Sequence, residues 1–143
     1  MSVSTTGHRN TILIVEEEKE EYEALSCSLV SEGYDTVWAS NGADAVRLAA
    51  KVKPDVAILN LLLHDRDGLD LLQELKLSDH AFEVIVHANV VSSSLVRHSM
   101  ERGAFDFLVK PFAHDELSLF VKEAIECRTV SNSLVEEEEE SVR

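Results

Sequence analysis

The sequence is short of several things, and each shortage removes a class of protein. It has 2 cysteines, 2 prolines, 5 glycines and 1 tryptophan in 143 residues. Two cysteines, neither in a CxxC pair nor beside histidine at metal-ligand spacing, argue against a disulfide framework or a zinc module. They read as ordinary half-buried thiols on helices and point to a reducing, cytoplasmic compartment. So few prolines and glycines leave no Gly/Ser linker. No run approaches the roughly 20 apolar residues that cross a bilayer, and the polar N-terminus lacks an apolar signal core. Basic residues are scarce, 13 against 27 acidic, for a formal net charge of -14. Nucleic acid and anionic membrane surfaces are therefore poor partners. There is no Gly-rich phosphate loop, GxSxG or HExxH, so an enzyme in the ordinary sense is not expected.

What remains is a chain that is 45% hydrophobic and 28% charged, enough for one domain with a sizeable core. Thr11 to Val15 is a continuous β-branched run, the signature of a strand buried on both faces. Tyr22, Leu25, Leu29 and Val30 follow at helical spacing, and Gly33 closes that helix. Asp35 to Ala39 reads as a second strand and Asn41-Gly42 as a turn. Ala43, Val46, Leu48 and Ala49 form a second helix that stops before Pro54. Val56 to Leu59, Val84 to Val86 and Phe105 to Val109 supply three more strands. Leu69, Leu72 and Leu75 mark a helix opened by Gly68. Leu95, Val96, Ser99 and Met100 mark another, closed by Gly103. Leu117, Phe120, Val121, Ala124 and Ile125 mark the last. Alternation of strand and helix with short connections predicts an α/β fold, a parallel sheet covered by helices on both faces. The divisions expected are a disordered segment over 1–10, one domain over 11–128, and over 129–143 an acidic tail or an extension of the last helix. Ile125, Val130 and Leu134 offer an imperfect apolar seam for such an extension.

Polar residues gather where predicted strands end. Glu16 and Glu17 follow the first strand, Asn60 ends the third, Ala88-Asn89 the fourth and Lys110-Pro111 the fifth. In a parallel sheet these ends share one rim, the usual place for chemistry. The rim is short of a nucleophile. An aspartate at position 60 could attack a phosphoryl group, whereas the resonance-stabilised amide of Asn60 cannot. His64 and His87 are chemically able to take phosphate, although lone histidines more often serve structure. Asp67 reads as a turn or cap residue before Gly68.

These residues carry a resemblance to the receiver domain of two-component response regulators, over roughly residues 10 to 128. It rests on Ile12 to Glu18, Pro54 to Asn60, Asp67-Gly68, Asn41 to Ala45, and Gly103 to Phe112. The spacings agree: 44 residues from Glu16 to Asn60, 28 to Ala88 and 22 to Lys110. The resemblance implies a flavodoxin-like (βα)5 doubly wound five-stranded sheet of order 2-1-3-4-5. It also implies site roles. Glu16 and Glu17 stand at the magnesium-binding acidic pair, Asn60 at the phosphoacceptor, and Ala88 at a hydroxyl position. Lys110 stands at the phosphoryl-contacting lysine and Phe107 at the aromatic switch. Three chemical positions depart from the pattern. Asn60 lacks the nucleophile, Ala88 lacks the hydroxyl, and the extra methylene of Glu16 displaces its carboxylate. Magnesium, which demands near-octahedral oxygen geometry, is expected to bind weakly or not at all, so no cofactor is expected. The reading is a degenerate receiver, or pseudo-receiver, used as a phosphorylation-independent protein-interaction module. Its partner would be a histidine kinase or a downstream regulator. A homodimer could form through the fourth helix, fifth strand and fifth helix. The alternatives are a sensor gated by a divalent cation or small ligand at the acidic rim, and phosphotransfer through a non-standard residue.

Overall fold

The computed structural model describes residues 9–78, 81–90 and 92–142, with side chains through Arg128. The disordered segment expected over 1–10 lies, through residue 8, outside the described residues. Five strands alternate with five helices: β1 (Thr11–Val15), α1 (Lys19–Val30), β2 (Asp35–Ala39), α2 (Gly42–Val52), β3 (Val56–Asn60), α3 (Gly68–Lys76), β4 (Glu83–Ala88), α4 (Ser93–Glu101), β5 (Asp106–Val109) and α5 (His114–Val142). All strand pairs are parallel and the order is β2-β1-β3-β4-β5, the flavodoxin-like arrangement expected. A parallel sheet hides both faces. Accordingly β3 is buried throughout and β1 nearly so.

Alternation along each strand divides the core in two. Leu13, Val15, Ala57, Leu59, Val84 and Val86 pack with Ala45, Ala49, Leu71, Leu72 and Leu75, beneath α2 and α3. Ile12, Ile14, Val56, Ile58, Ile85 and Leu108 pack with Leu25, Leu29, Leu117, Val121 and Ala124, beneath α1 and α5.

Local chemistry sets the ends of the helices. Asn41 is the N-cap of α2, its side chain accepting from the Asp44 amide at 2.8 Å, so Asn41-Gly42 is a helix entry rather than a free turn. Asp67 caps α3 by accepting from the Leu69 amide at 2.8 Å. Position 68 has to be glycine: a Cβ there would lie 2.2 Å from the Leu61 carbonyl oxygen. The loop after β3 can thus fold tightly back against the start of α3. Helix α5 continues through Val142, 29 residues in all. The apolar seam proposed for it involves side chains beyond those described. Cys27 and Cys127 are both exposed rather than half-buried, because each falls on the outer side of its helix. No helix among the described residues is long and apolar enough to cross a membrane.

Candidate functional site

The strand ends do converge, but alternation sorts the candidate residues onto two faces. Glu16 continues the Ile12-Ile14 parity, Asn60 the Val56-Ile58 parity, and Lys110 follows Leu108. All three belong to the α1–α5 side. Phe107 is half-buried against the α2–α3 core, and Ala88 is buried at the end of β4. The sheet gathers Glu16, Asn60 and Lys110, while Phe107 packs against the α2–α3 core.

Glu16 is the centre of the cluster and has no exposed surface. Asn60 Nδ2 donates to both of its carboxylate oxygens, at 3.0 and 3.2 Å. Asn60 Oδ1 accepts from the Leu62 amide at 2.9 Å, which fixes the flip of the side chain and leaves its donors facing Glu16. Lys110 Nζ stands 3.6 Å from Glu16 Oε2 and 2.6 Å from Glu21 Oε2. Burial raises the Glu16 carboxyl above its ordinary value, and the Asn60 hydrogen bond and Lys110 charge only partly offset this. Glu21 moves the other way, held down mainly by its hydrogen bond from Lys110.

Glu17 does something different from Glu16. Its Oε2 accepts from the His64 amide and its Oε1 contacts His64 Nδ1, both at 2.6 Å. It ties down the loop after β3 and does not join Glu16 in facing Asn60. Asp65 anchors the same loop at its far side, accepting from the amides of Gly42 (2.9 Å) and Ala43 (3.2 Å) at the N-terminus of α2. Those amide contacts, Gly42 first, hold the Asp65 carboxyl below its ordinary value. This is the favourable meeting of an anion with a helix N-terminus.

One member of the cluster, Glu21, is not evident from the sequence, and another, His87, is legible there only as a histidine able to take phosphate. Glu21 lies in a glutamate-rich stretch where nothing distinguishes it from Glu20 or Glu23. Only the rise of α1 brings it to Lys110. His87 pairs in register with Asn60 and is fully buried, its Nε2 3.6 Å from Glu16 Oε2 and its ring edge-on to Phe112. Neither ring nitrogen has a hydrogen-bond partner. Burial, then the Lys110 charge, push the imidazole down to about 3, so it is neutral at physiological pH. Its signal in the sequence is its place directly after the apolar run Val84-Ile85-Val86. Nearby, Trp38 Nε1 donates to the Glu16 carbonyl at 2.7 Å and the indole stacks on Tyr22. The single tryptophan is thus wired to the rim.

As a magnesium site the donor set does not fit. Magnesium takes oxygen ligands in a near-octahedral shell. Here both Glu16 oxygens face the Asn60 amide, both Glu17 oxygens face His64, and Asn60 Oδ1 faces a backbone amide. Among the described residues, no group of three His, Cys, Asp or Glu side chains is arranged to hold a metal ion.

The chain matches the family model of the response regulator receiver domain over residues 12–122. It is 32% identical over 111 residues to sporulation initiation phosphotransferase F of Bacillus subtilis, covering 78% of this chain and 90% of that protein. It is 35% identical over 123 residues to the transcriptional regulatory protein KdpE of Mycobacterium tuberculosis, covering 86% of this chain and 54% of that protein. It spans about half or less of the length of several curated regulators it matches. Among solved structures, the signal receiver domain of a LuxO repressor protein from Vibrio parahaemolyticus superposes with a TM-score of 0.83 at 28% identity, covering 89% of this chain and 98% of that one.

Proposed function

The chain belongs to the family of response regulator receiver domains, and we propose that it serves two-component signalling as a protein-interaction module not switched by aspartyl phosphorylation. The observation that carries this reading is Asn60. It occupies the end of β3 where the family's acceptor stands, and its amide is spent on Glu16 at 3.0 and 3.2 Å. A neutral amide does not attack phosphorus. The rest of the rim agrees with that. The carboxylates that would share a magnesium ion are turned to other partners, and Ala88 brings a methyl group where a hydroxyl would contact a phosphoryl oxygen.

A module of this kind works by what it binds. A histidine kinase or a downstream regulator is the partner class that suits it. The surface we assign to binding is the one formed by α4, β5 and α5, where Met100, Val109 and Leu119 are exposed apolar side chains. Such residues on an otherwise charged surface favour a protein contact, either with that partner or with a second copy of the chain.

The test is to incubate the protein with acetyl phosphate and magnesium and record the intact mass. No phosphoryl adduct is expected. A stoichiometric adduct, whether on a carboxylate or on His64, would refute phosphorylation independence.

A further inference from the structure

We infer that Glu21 is a built-in anion that holds Lys110 and clasps α1 to the β5–α5 junction, so that the rim carries its own lock. The inference rests on the reading above and names the residue that sets the state of that site. Lys110 Nζ lies 2.6 Å from Glu21 Oε2, a hydrogen-bonding distance, and 3.6 Å from Glu16 Oε2, which is beyond one. Glu21 is therefore the lysine's bonded partner, while Glu16 contributes charge alone. The lysine side chain is only 17% exposed. It and Glu21 form one end of a cavity of about 300 Å³ between α1 and α5, whose wall includes Ala24, Leu25, Pro111 and Phe112. An ion pair against such a wall is less screened than one standing in open water.

The pair is also the uppermost of three side-chain ties between the same elements. Ser28 on α1 contacts His114 Nδ1 at the start of α5. Ser118 on α5 donates to Glu32, just past the end of α1, at 2.5 Å. The ties run down the seam from the rim and join α1 and the residue just past it to the end of β5 and the first turns of α5. In this arrangement an incoming anion would have to displace Glu21 to reach Lys110. The binding face on β5 and α5 is held by contacts internal to the chain.

The consequence is measurable without any ligand. Glu21→Gln removes the charge and keeps the shape at a half-exposed position, and Glu20→Gln is the neighbouring control. Trace labelling with acetic anhydride, read by mass spectrometry, compares Lys110 with the exposed Lys19 in the same molecules. Loss of a charge-assisted hydrogen bond should raise Lys110 labelling relative to Lys19 by about tenfold in Glu21→Gln, with no change in Glu20→Gln. Amide exchange over residues 106–113 should rise in the same variant. Equal Lys110 labelling in wild type and Glu21→Gln overturns the lock. Because the labelling needs no phosphoryl donor, that result would leave the argument from Asn60 intact.

Discussion

The two faces of one sheet end differently. Beneath α2 and α3 the core stays apolar along the strands, through Val84 and Val86 on β4 and Leu59 on β3. Beneath α1 and α5 it ends in Glu16, Asn60, His87 and Lys110. Both faces are equally buried, so the polar groups there are not a consequence of exposure. A carboxylate kept wholly out of water needs partners, and Asn60, Lys110 and, through Lys110, Glu21 are those partners. One face is thus apolar where the other gathers paired polar groups, and on the function proposed above the second keeps the layout of a reaction site without its nucleophile.

Making the apolar face resemble the polar one should have the largest effect. Val86→Asp places a charge among Leu and Ala with no partner, and should cost about 4 kcal/mol or more, enough to unfold the domain. Urea denaturation followed through Trp38 would measure it. Making the polar face resemble the apolar one should cost less. Asn60→Leu strips Glu16 of its donor and the Leu62 amide of its acceptor, for about 2–3 kcal/mol at pH 7. A loss below 0.5 kcal/mol in the same assay would mean that Asn60 does not hold Glu16.

His87 should behave in the opposite sense. Its two unpartnered nitrogens destabilise the fold, so His87→Leu should stabilise it by about 1 kcal/mol at pH 7. The variant should also change the response to acid. The folded protein holds the His87 pKa at about 3, while the unfolded chain titrates near 6.5. Between those values the unfolded state binds more protons, so stability is full above about pH 6.5 and is lost as pH falls toward 3. His87→Leu should remove that component, on the order of 5 kcal/mol over the whole span. Melts at pH 7, 5.5 and 4 would show a flatter profile in the variant. The smallest effect should come from Glu17→Gln. Its ring partner His64 is 93% exposed at the side chain, and such pairs contribute about 1 kcal/mol or less.

The fold was legible because its signals are local and repeated: buried β-branched runs, helical stripes, and turns closed by Gly33 and Gly103. The site was legible only in part. Strand-end positions can be read from sequence, so Glu16, Asn60 and Lys110 are found where a parallel sheet should bring them. Which face a strand-end side chain takes depends on the pleat, so sequence position alone does not separate Phe107, packed against the α2–α3 core, from Lys110. Glu21 and His87 depend on tertiary placement. A glutamate among glutamates and a histidine inside a hydrophobic strand gain meaning only when Lys110 and Glu16 are seen beside them. Glu16 and Glu17 read as one acidic pair, yet one turns inward to Asn60 and the other out to His64.

The central claim is that this receiver fold lacks the chemistry of aspartyl phosphorylation. Its most direct test is a two-dimensional amide spectrum of the unaltered protein, recorded alone, with magnesium, and with magnesium plus beryllofluoride, a phosphoryl mimic that requires a carboxylate. The account predicts that the resonances of Glu16, Asn60, Lys110 and α4 stay in place in all three. Beryllofluoride-dependent shifts reaching from the rim into α4 would contradict it, because another carboxylate would then be doing the work that Asn60 cannot.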